Sequence, residues 1–197
     1  MITRKVILPK NCAIGFGIPA DRQSFLRALN NPNADYVRKY HGGIDQYQRH
    51  FLNELDRFLA VIARWDVYVE PLLNVESFSA LLDGSFDVVT LFSHWSGESV
   101  EFSTGLVESN AIVNAVPPAF SGFIDLCICH PLSLVDQLNS KRQNCHIKSE
   151  PISVPPIEWL YIYRLLFSEL AKGTTPYLDA WVNILKAVQQ VRNNGRT

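Results

Sequence analysis

Two stretches of the chain carry side chains able to do chemistry. GFIDLCICHP, residues 122–131, gathers two of the four cysteines, one of the five histidines and a proline behind a short apolar run. FDVVTLFSHWSG, residues 86–97, sets His94 directly after another apolar run. Three uses are open to such groups: thiols packed as small hydrophobes, a site of sulfur and nitrogen metal ligands, or a thiol nucleophile served by an imidazole. Cys127, Cys129 and His130, with Cys145 and His146 further on, are numerous enough for zinc. A Cys-x-Cys within a strand nevertheless lacks the turn that wraps two thiolates around a metal, so no metal is expected. A nucleophile needs partial exposure, a nearby base and backbone donors for the developing oxyanion. Cys129 suits that role better than Cys127, because Pro131 stops the strand ladder just beyond it, while Cys127 reads as a buried or pocket-lining thiol. His94 stands where its own strand must open, and Gly97 permits a tight backbone there. His41-Gly42-Gly43 reads more simply as a turn.

These groups are only useful if the intervening elements bring them together. KVILP and CAIGFGIP read as strand and glycine-rich turn, and ADRQSFLRAL as a short helix broken by NNPNAD. Ile44, Tyr47, Phe51, Leu55, Phe58, Ile62 and Trp65 recur every three or four residues, which predicts one face of a long helix. DVYVEP, FDVVTLF and FIDLCIC then read as strands, separated by the helical pieces NVESFSALLDG and SNAIVNAV, with VEFSTG a small return strand. PLSLVDQL reads as helix, and SKRQNCHIKSEPISVPP as a polar connection with room for one more short strand. IEWLYIYRLLFSELAKG is apolar around most of its circumference, and TTPYLDAWVNILKAVQQV follows with Thr175 as cap and Pro176 at the first helical position. Strands alternating with helices predict a mostly parallel sheet covered on both faces. Ligand groups in such sheets lie beyond the carboxyl ends of the strands, where both SHW and CHP fall. Neighbouring parallel strands would bring His94 and Cys129, 35 positions apart, to one sheet edge.

Length and composition narrow the function classes. A chain of 197 residues with 47% apolar content builds one sizeable core, so residues 1–197 are expected to form a single domain with C-terminal helices at about 156–192. A formal charge of -1, from 18 Lys and Arg against 19 Asp and Glu, gives no electrostatic basis for direct nucleic-acid binding. No segment reads as a signal peptide or a bilayer-crossing helix, so a cytoplasmic protein with reduced thiols and no membrane contact is expected. The chain has no phosphate-binding glycine loop of the required spacing, no zinc-peptidase histidine pair on a helix and no serine-hydrolase elbow.

With His94 after one apolar strand and Cys129 closing the next, the chain resembles the caspase-like cysteine peptidase superfamily, and within it the bacterial CHAT-type domains. FDVVTLFSHWSG matches the family's histidine motif, FIDLCIC its cysteine motif, and GTTPYLDAWVNILKAV is similar to its terminal helix. The resemblance covers most of residues 4–190. It implies a caspase-like three-layer α/β sandwich and a cysteine endopeptidase with no cofactor, in which His94 is base and acid and Cys129 the nucleophile. No third side chain is required by that pattern. Ser96 and Gly97 would supply oxyanion donors. Strand parity sets Asp125 on the face of Cys127 and Cys129, where it would line the substrate pocket and favour Lys or Arg. The implied partners are a protein or peptide substrate and a regulatory protein or sensor, as for a defence or signalling effector. The chain departs from the family at Trp95, which would narrow the groove, and at Pro131, which removes a backbone donor. Those departures also fit a catalytically inactive caspase-like interaction module.

Overall fold

A computed structural model describes residues 5–40, 42–150 and 154–194. Its centre is a five-stranded sheet built from β1 (Cys12–Phe16), β2 (Tyr68–Glu70), β3 (Val88–Phe92), β7 (Phe123–Cys127) and β8 (His146–Ser149). All four pairings are parallel and the order is β2-β1-β3-β7-β8. Every residue of β1, β3 and β7 is buried, as expected of strands covered on both faces. Three short strands, β4 (Trp95–Ser96), β5 (Ser99–Phe102) and β6 (Gly105–Glu108), form a separate antiparallel sheet between β3 and β7.

Alternation along the strands sorts the core into two layers. Cys12, Ile14, Phe16, Val88, Phe92, Phe123 and Cys127 join one apolar cluster, which also receives the helical run from residue 43 to 65 and the two C-terminal helices. Ala13, Val89, Leu91, Ile124 and Leu126 join the other, against α4 (Val75–Asp83), α5 (Ser109–Ala115) and α6 (Leu132–Lys141). The molecule is thus an α/β fold with helices flanking a parallel sheet.

The periodicity at 44–65 does form one continuous helical run, with Tyr47, Phe51, Leu55, Phe58 and Ile62 all buried. It is composed of α2 (Gly43–Tyr47), a π turn at Gln48–Leu52 and α3 (Asn53–Ile62), ending in a 3-10 turn. The π turn lets the adjacent Phe51 and Leu52 both reach the core. Before it lie α1 (Arg22–Leu29), capped by the Asp21 side chain, and a loop running to a 3-10 turn at Tyr36–Lys39. The C-terminal pair is α7 (Pro156–Leu170) and α8 (Tyr177–Asn194), with α7 packed on both α3 and α8.

Three boundaries differ from the sequence expectation. KVILP is not a strand: Val6 makes one isolated bridge to Pro176, and Pro9 opens a 3-10 turn because it has no N–H to continue a ladder. FIDLCIC stops pairing at Cys127, so Cys129 lies two residues past the strand. Finally, α8 begins at Tyr177 rather than Pro176, and the Thr175 hydroxyl donates to Glu169 Oε1 at 3.0 Å instead of capping. His41 lies outside the described residues.

Candidate functional site

The carboxyl ends of β3 and β7 are locked side by side. Phe92 pairs with Cys127, and the next amide, Ser93 N–H, donates to the Cys127 carbonyl at 3.2 Å. His94 follows, and its carbonyl accepts from the Glu101 amide at 2.9 Å, while the Ser93 hydroxyl donates to the Glu101 carbonyl. The β4–β5 hairpin therefore folds back over the histidine and fixes its backbone. Gly17 is what allows the approach: a Cβ there would come within 2.1 Å of the Glu101 carbonyl oxygen and 2.7 Å of Ser93 Oγ.

On the β7 side, Ile128 is buried in the second core layer and Pro131 is the N-cap residue of α6. Between these anchors Cys129 is half-buried and His130 is exposed with a φ of +51°. A left-handed backbone at a non-glycine residue is a strained conformation, costing about 1–3 kcal/mol. It is the geometry that reverses the chain between strand end and helix start and leaves the Cys129 thiol at the surface of the core.

His94, Cys129 and the buried Cys127 border one cavity of about 290 Å³, together with Tyr36, Phe92 and Trp159. The sheet thus does bring the two sequence candidates to a common space. A carboxylate stands beside the imidazole: Asp35 Oδ2 is 3.3 Å from His94 Nε2, with side chains 30% and 18% exposed. The Tyr36 ring lies 5.2 Å from the imidazole, centre to centre. Burial first, then Tyr40 and, more weakly, Cys129 and Glu101, push the Tyr36 phenol far above its ordinary range. It is therefore a neutral group whose hydroxyl shares a 2.9 Å hydrogen bond with that of Tyr40.

Asp35 and Tyr36 arrive from a loop that carries no periodic signal. The loop is tied to the small sheet: Leu106 N–H donates to the Asn33 carbonyl at 3.0 Å, Asn31 Nδ2 to the Thr104 carbonyl at 3.0 Å, and Tyr36 N–H to Glu101 Oε2 at 2.7 Å. Glu101, in the middle strand of the small sheet, is 1% exposed. Its backbone holds His94 and its carboxylate holds Tyr36, so one residue sets both sides of the Asp35–His94 pair.

The remaining sequence candidates are placed elsewhere. Asp125 is fully buried; it accepts from Lys148 Nζ at 2.6 Å and from the Tyr177 hydroxyl at 2.5 Å. With both oxygens engaged, it cannot select a basic substrate residue. Trp95 packs, half-buried, against the core layer on the opposite sheet face and does not narrow the cavity. Ser96 pairs with Ser99 in the hairpin, and Gly97, φ +65°, occupies its exposed two-residue turn. That is where such hairpins place a glycine. Neither borders the cavity, so the hairpin turn, not an oxyanion contact, accounts for Gly97. Cys127 forms part of the cavity wall, and burial drives its thiol well above the ordinary range despite the opposing pull of Lys148. His130 does not border the cavity.

Cys145 and His146 are also accounted for: the thiol donates to the Arg142 carbonyl at 3.3 Å and the imidazole lies 5.3 Å from the Phe123 ring. Among the described residues no group of three or more His, Cys, Asp or Glu is placed to hold a metal ion, and no helix is long and apolar enough to cross a membrane. No protein-family model matches the chain, and no curated protein matches it.

Proposed function

We propose that the chain is a cysteine endopeptidase of caspase-like architecture, acting in the cytoplasm under the control of a regulatory protein partner. The observation that carries this reading is the shared cavity of His94 and Cys129 at the carboxyl ends of two adjacent parallel strands, with the Asp35 carboxylate 3.3 Å from the imidazole Nε2. The order of motifs that the chain shares with CHAT-type domains supports it independently.

In this mechanism the Cys129 sulfur attacks the peptide carbonyl carbon, forming a C–S bond, while His94 takes up the thiol proton. The imidazolium then gives that proton to the leaving nitrogen as the C–N bond breaks. Water adds to the thioester with His94 as base, the C–S bond breaks and Cys129 recovers its proton. Since Nε2 lies 3.3 Å from Asp35 Oδ2, this mechanism assigns the proton transfer to Nδ1, with the Asp35 carboxylate stabilising the imidazolium that forms in each step.

The test is site-resolved labelling of the folded chain with an electrophilic thiol probe, read by peptide mass spectrometry, alongside hydrolysis of a fluorogenic peptide pool. Cys129→Ala should abolish both, His94→Ala should suppress both, and Cys127→Ala should retain turnover. Loss of activity in Cys127→Ala with Cys129→Ala unaffected would show that the wrong sulfur has been assigned. A folded chain that neither labels at Cys129 nor hydrolyses peptide would leave the inactive interaction module as the surviving reading.

A further inference from the structure

The cavity walls point to what enters it. Trp159 and Tyr36 supply aromatic surface, and Val154, Pro155 and Pro156 close the side formed by the connection into α7. This wall is stiff: the Trp159 ring stacks on Trp181 at 6.0 Å and 15°, Pro155 holds an extended backbone at φ −55°, and Pro156 opens the helix. The ionisable groups that border the cavity, among the described residues, are the His94 imidazole, the two thiols and the neutral Tyr36 phenol. The nearby full charges are occupied elsewhere. Asp125 and Lys148 are bonded to each other beneath the floor, with the Lys148 ammonium 3.1 Å from the centre of the Trp181 ring. Glu101 is buried against the Tyr36 amide, and Asp35 faces His94.

At about 290 Å³ the space falls just under the roughly 300–1,000 Å³ of typical small-molecule pockets. It therefore has room for one side chain and not for an extended ligand. A Lys or Arg side chain entering it would shed water without meeting a carboxylate on the cavity wall, and an Asp would exchange its full hydration for little more than the unpartnered Trp159 N–H and the His94 imidazole, whereas an apolar one gains in proportion to the surface it buries. We infer that this cavity receives one uncharged, apolar side chain larger than that of alanine, represented by leucine or methionine, from the residue whose carbonyl Cys129 attacks. The inference rests on the peptidase reading above. That residue stays bonded to the sulfur through the acyl-enzyme, so its fit acts on both chemical steps.

The experiment uses the full chain and a set of tripeptidyl acyloxymethyl ketones that differ only in the residue next to the ketone. In each, the Cys129 sulfur forms a C–S bond at the methylene and a carboxylate leaves. Leucyl and methionyl probes should label Cys129 at least about 10-fold faster than alanyl, lysyl, arginyl or aspartyl ones, since even a missing methylene in an apolar pocket is worth roughly 10-fold or more. Pro155→Asp places a carboxylate at an exposed position on the cavity wall that also tolerates Asp as a helix cap. It should raise the lysyl rate relative to the leucyl rate by about 10-fold. Faster labelling by a charged probe in the unmodified chain, or no change in ranking in Pro155→Asp, overturns the inference and leaves the peptidase reading standing. Failure of every probe to label Cys129 removes that reading and the inference with it.

Discussion

The Cys127 and Cys129 ends of one short segment sit in opposite electrostatic settings built from the same kinds of parts. Below β7, Asp125 meets a cation and aromatic rings: Lys148 at 2.6 Å, Tyr177 at 2.5 Å, and Trp181 against the ammonium. Above it, Asp35 meets an imidazole at 3.3 Å beside the Tyr36 ring. The first set is sealed, with side-chain exposures of 0% and 6% for Asp125 and Lys148. The second borders open space. A carboxylate whose oxygens are both engaged inside the core specifies packing; one that stands beside a partly exposed imidazole is placed to act on that ring's charge. Two residues of chain, Ile128 and Cys129, carry the thiol series from the first setting to the second.

The sharpest way to test that contrast is to break the sealed pair. Lys148→Met leaves the buried Asp125 charge to the Tyr177 and Tyr163 phenols, and should cost about 3–5 kcal/mol of stability in urea unfolding. Replacing both partners, Asp125→Leu with Lys148→Met, should recover most of that loss, because the desolvation of two charges is removed together. If the double variant were no more stable than Lys148→Met, the pair would owe its place to something other than mutual compensation.

A smaller effect is expected where the open site is anchored. Gly17→Ala puts a methyl group against the Glu101 carbonyl, which itself is fixed by Ser93 and sits in a paired strand. An overpacked backbone contact of this kind costs about 1–3 kcal/mol, and because Glu101 also holds the His94 carbonyl, peptide turnover should fall along with stability. A Gly17→Ala chain with lower stability and unchanged turnover would show that the hairpin does not position His94.

How much of this was legible in the sequence depends on whether a residue belongs to a periodic element. The strands at 88–92 and 123–127, the helical run at 44–65 and the emergence of His94 and Cys129 at adjacent strand ends follow from alternation and three-to-four spacing. Cys129 standing past its strand depends on the turn at His130, whose left-handed backbone no residue type announces. Asp35 was read only as part of a helix-breaking stretch, since nothing in the chain ties position 35 to position 94. Glu101 alternates with the buried Val100 and Phe102; that it is buried too follows from the 31–36 loop lying over it. Asp125 was correctly placed on the face of Cys127, but its role could not be read without Lys148 and Tyr177, which arrive from β8 and α8.

The sealed region's buried thiol and phenols should also make stability respond to alkali. Burial raises the Cys127 thiol well above its ordinary value of 9.0, and the Tyr163 and Tyr177 phenols well above 10.0. Once the pH passes the values these groups have in the unfolded chain, the unfolded state loses protons that the folded state keeps. Stability that is fully present below about pH 9 then declines as pH rises, by about 1.4 kcal/mol per pH unit for each such group. Urea midpoints measured from pH 7 to 10.5 should be flat to about pH 9 and fall beyond it, less steeply in Cys127→Val. A flat profile through pH 10.5 would mean that these groups ionise in the folded protein as readily as in the unfolded one.

The smallest change in stability, and the most informative about the open site, is expected for Asp35→Asn. The Asp35–His94 pair is partly exposed, and such pairs contribute about 0–1 kcal/mol, so the urea midpoint should barely move. Turnover should nevertheless drop, since an amide cannot offset the positive charge that the imidazole acquires when it takes the thiol proton, and it also no longer fixes which nitrogen faces the thiol. On the proposed peptidase reading, we expect kcat to fall by about 10-fold or more with KM nearly unchanged, because the carboxylate would act on the charge that develops during reaction rather than on the peptide itself. A rise in KM at constant kcat would place Asp35 in substrate binding instead. Equal losses of stability in Asp35→Asn and Lys148→Met would erase the distinction between the two carboxylates altogether.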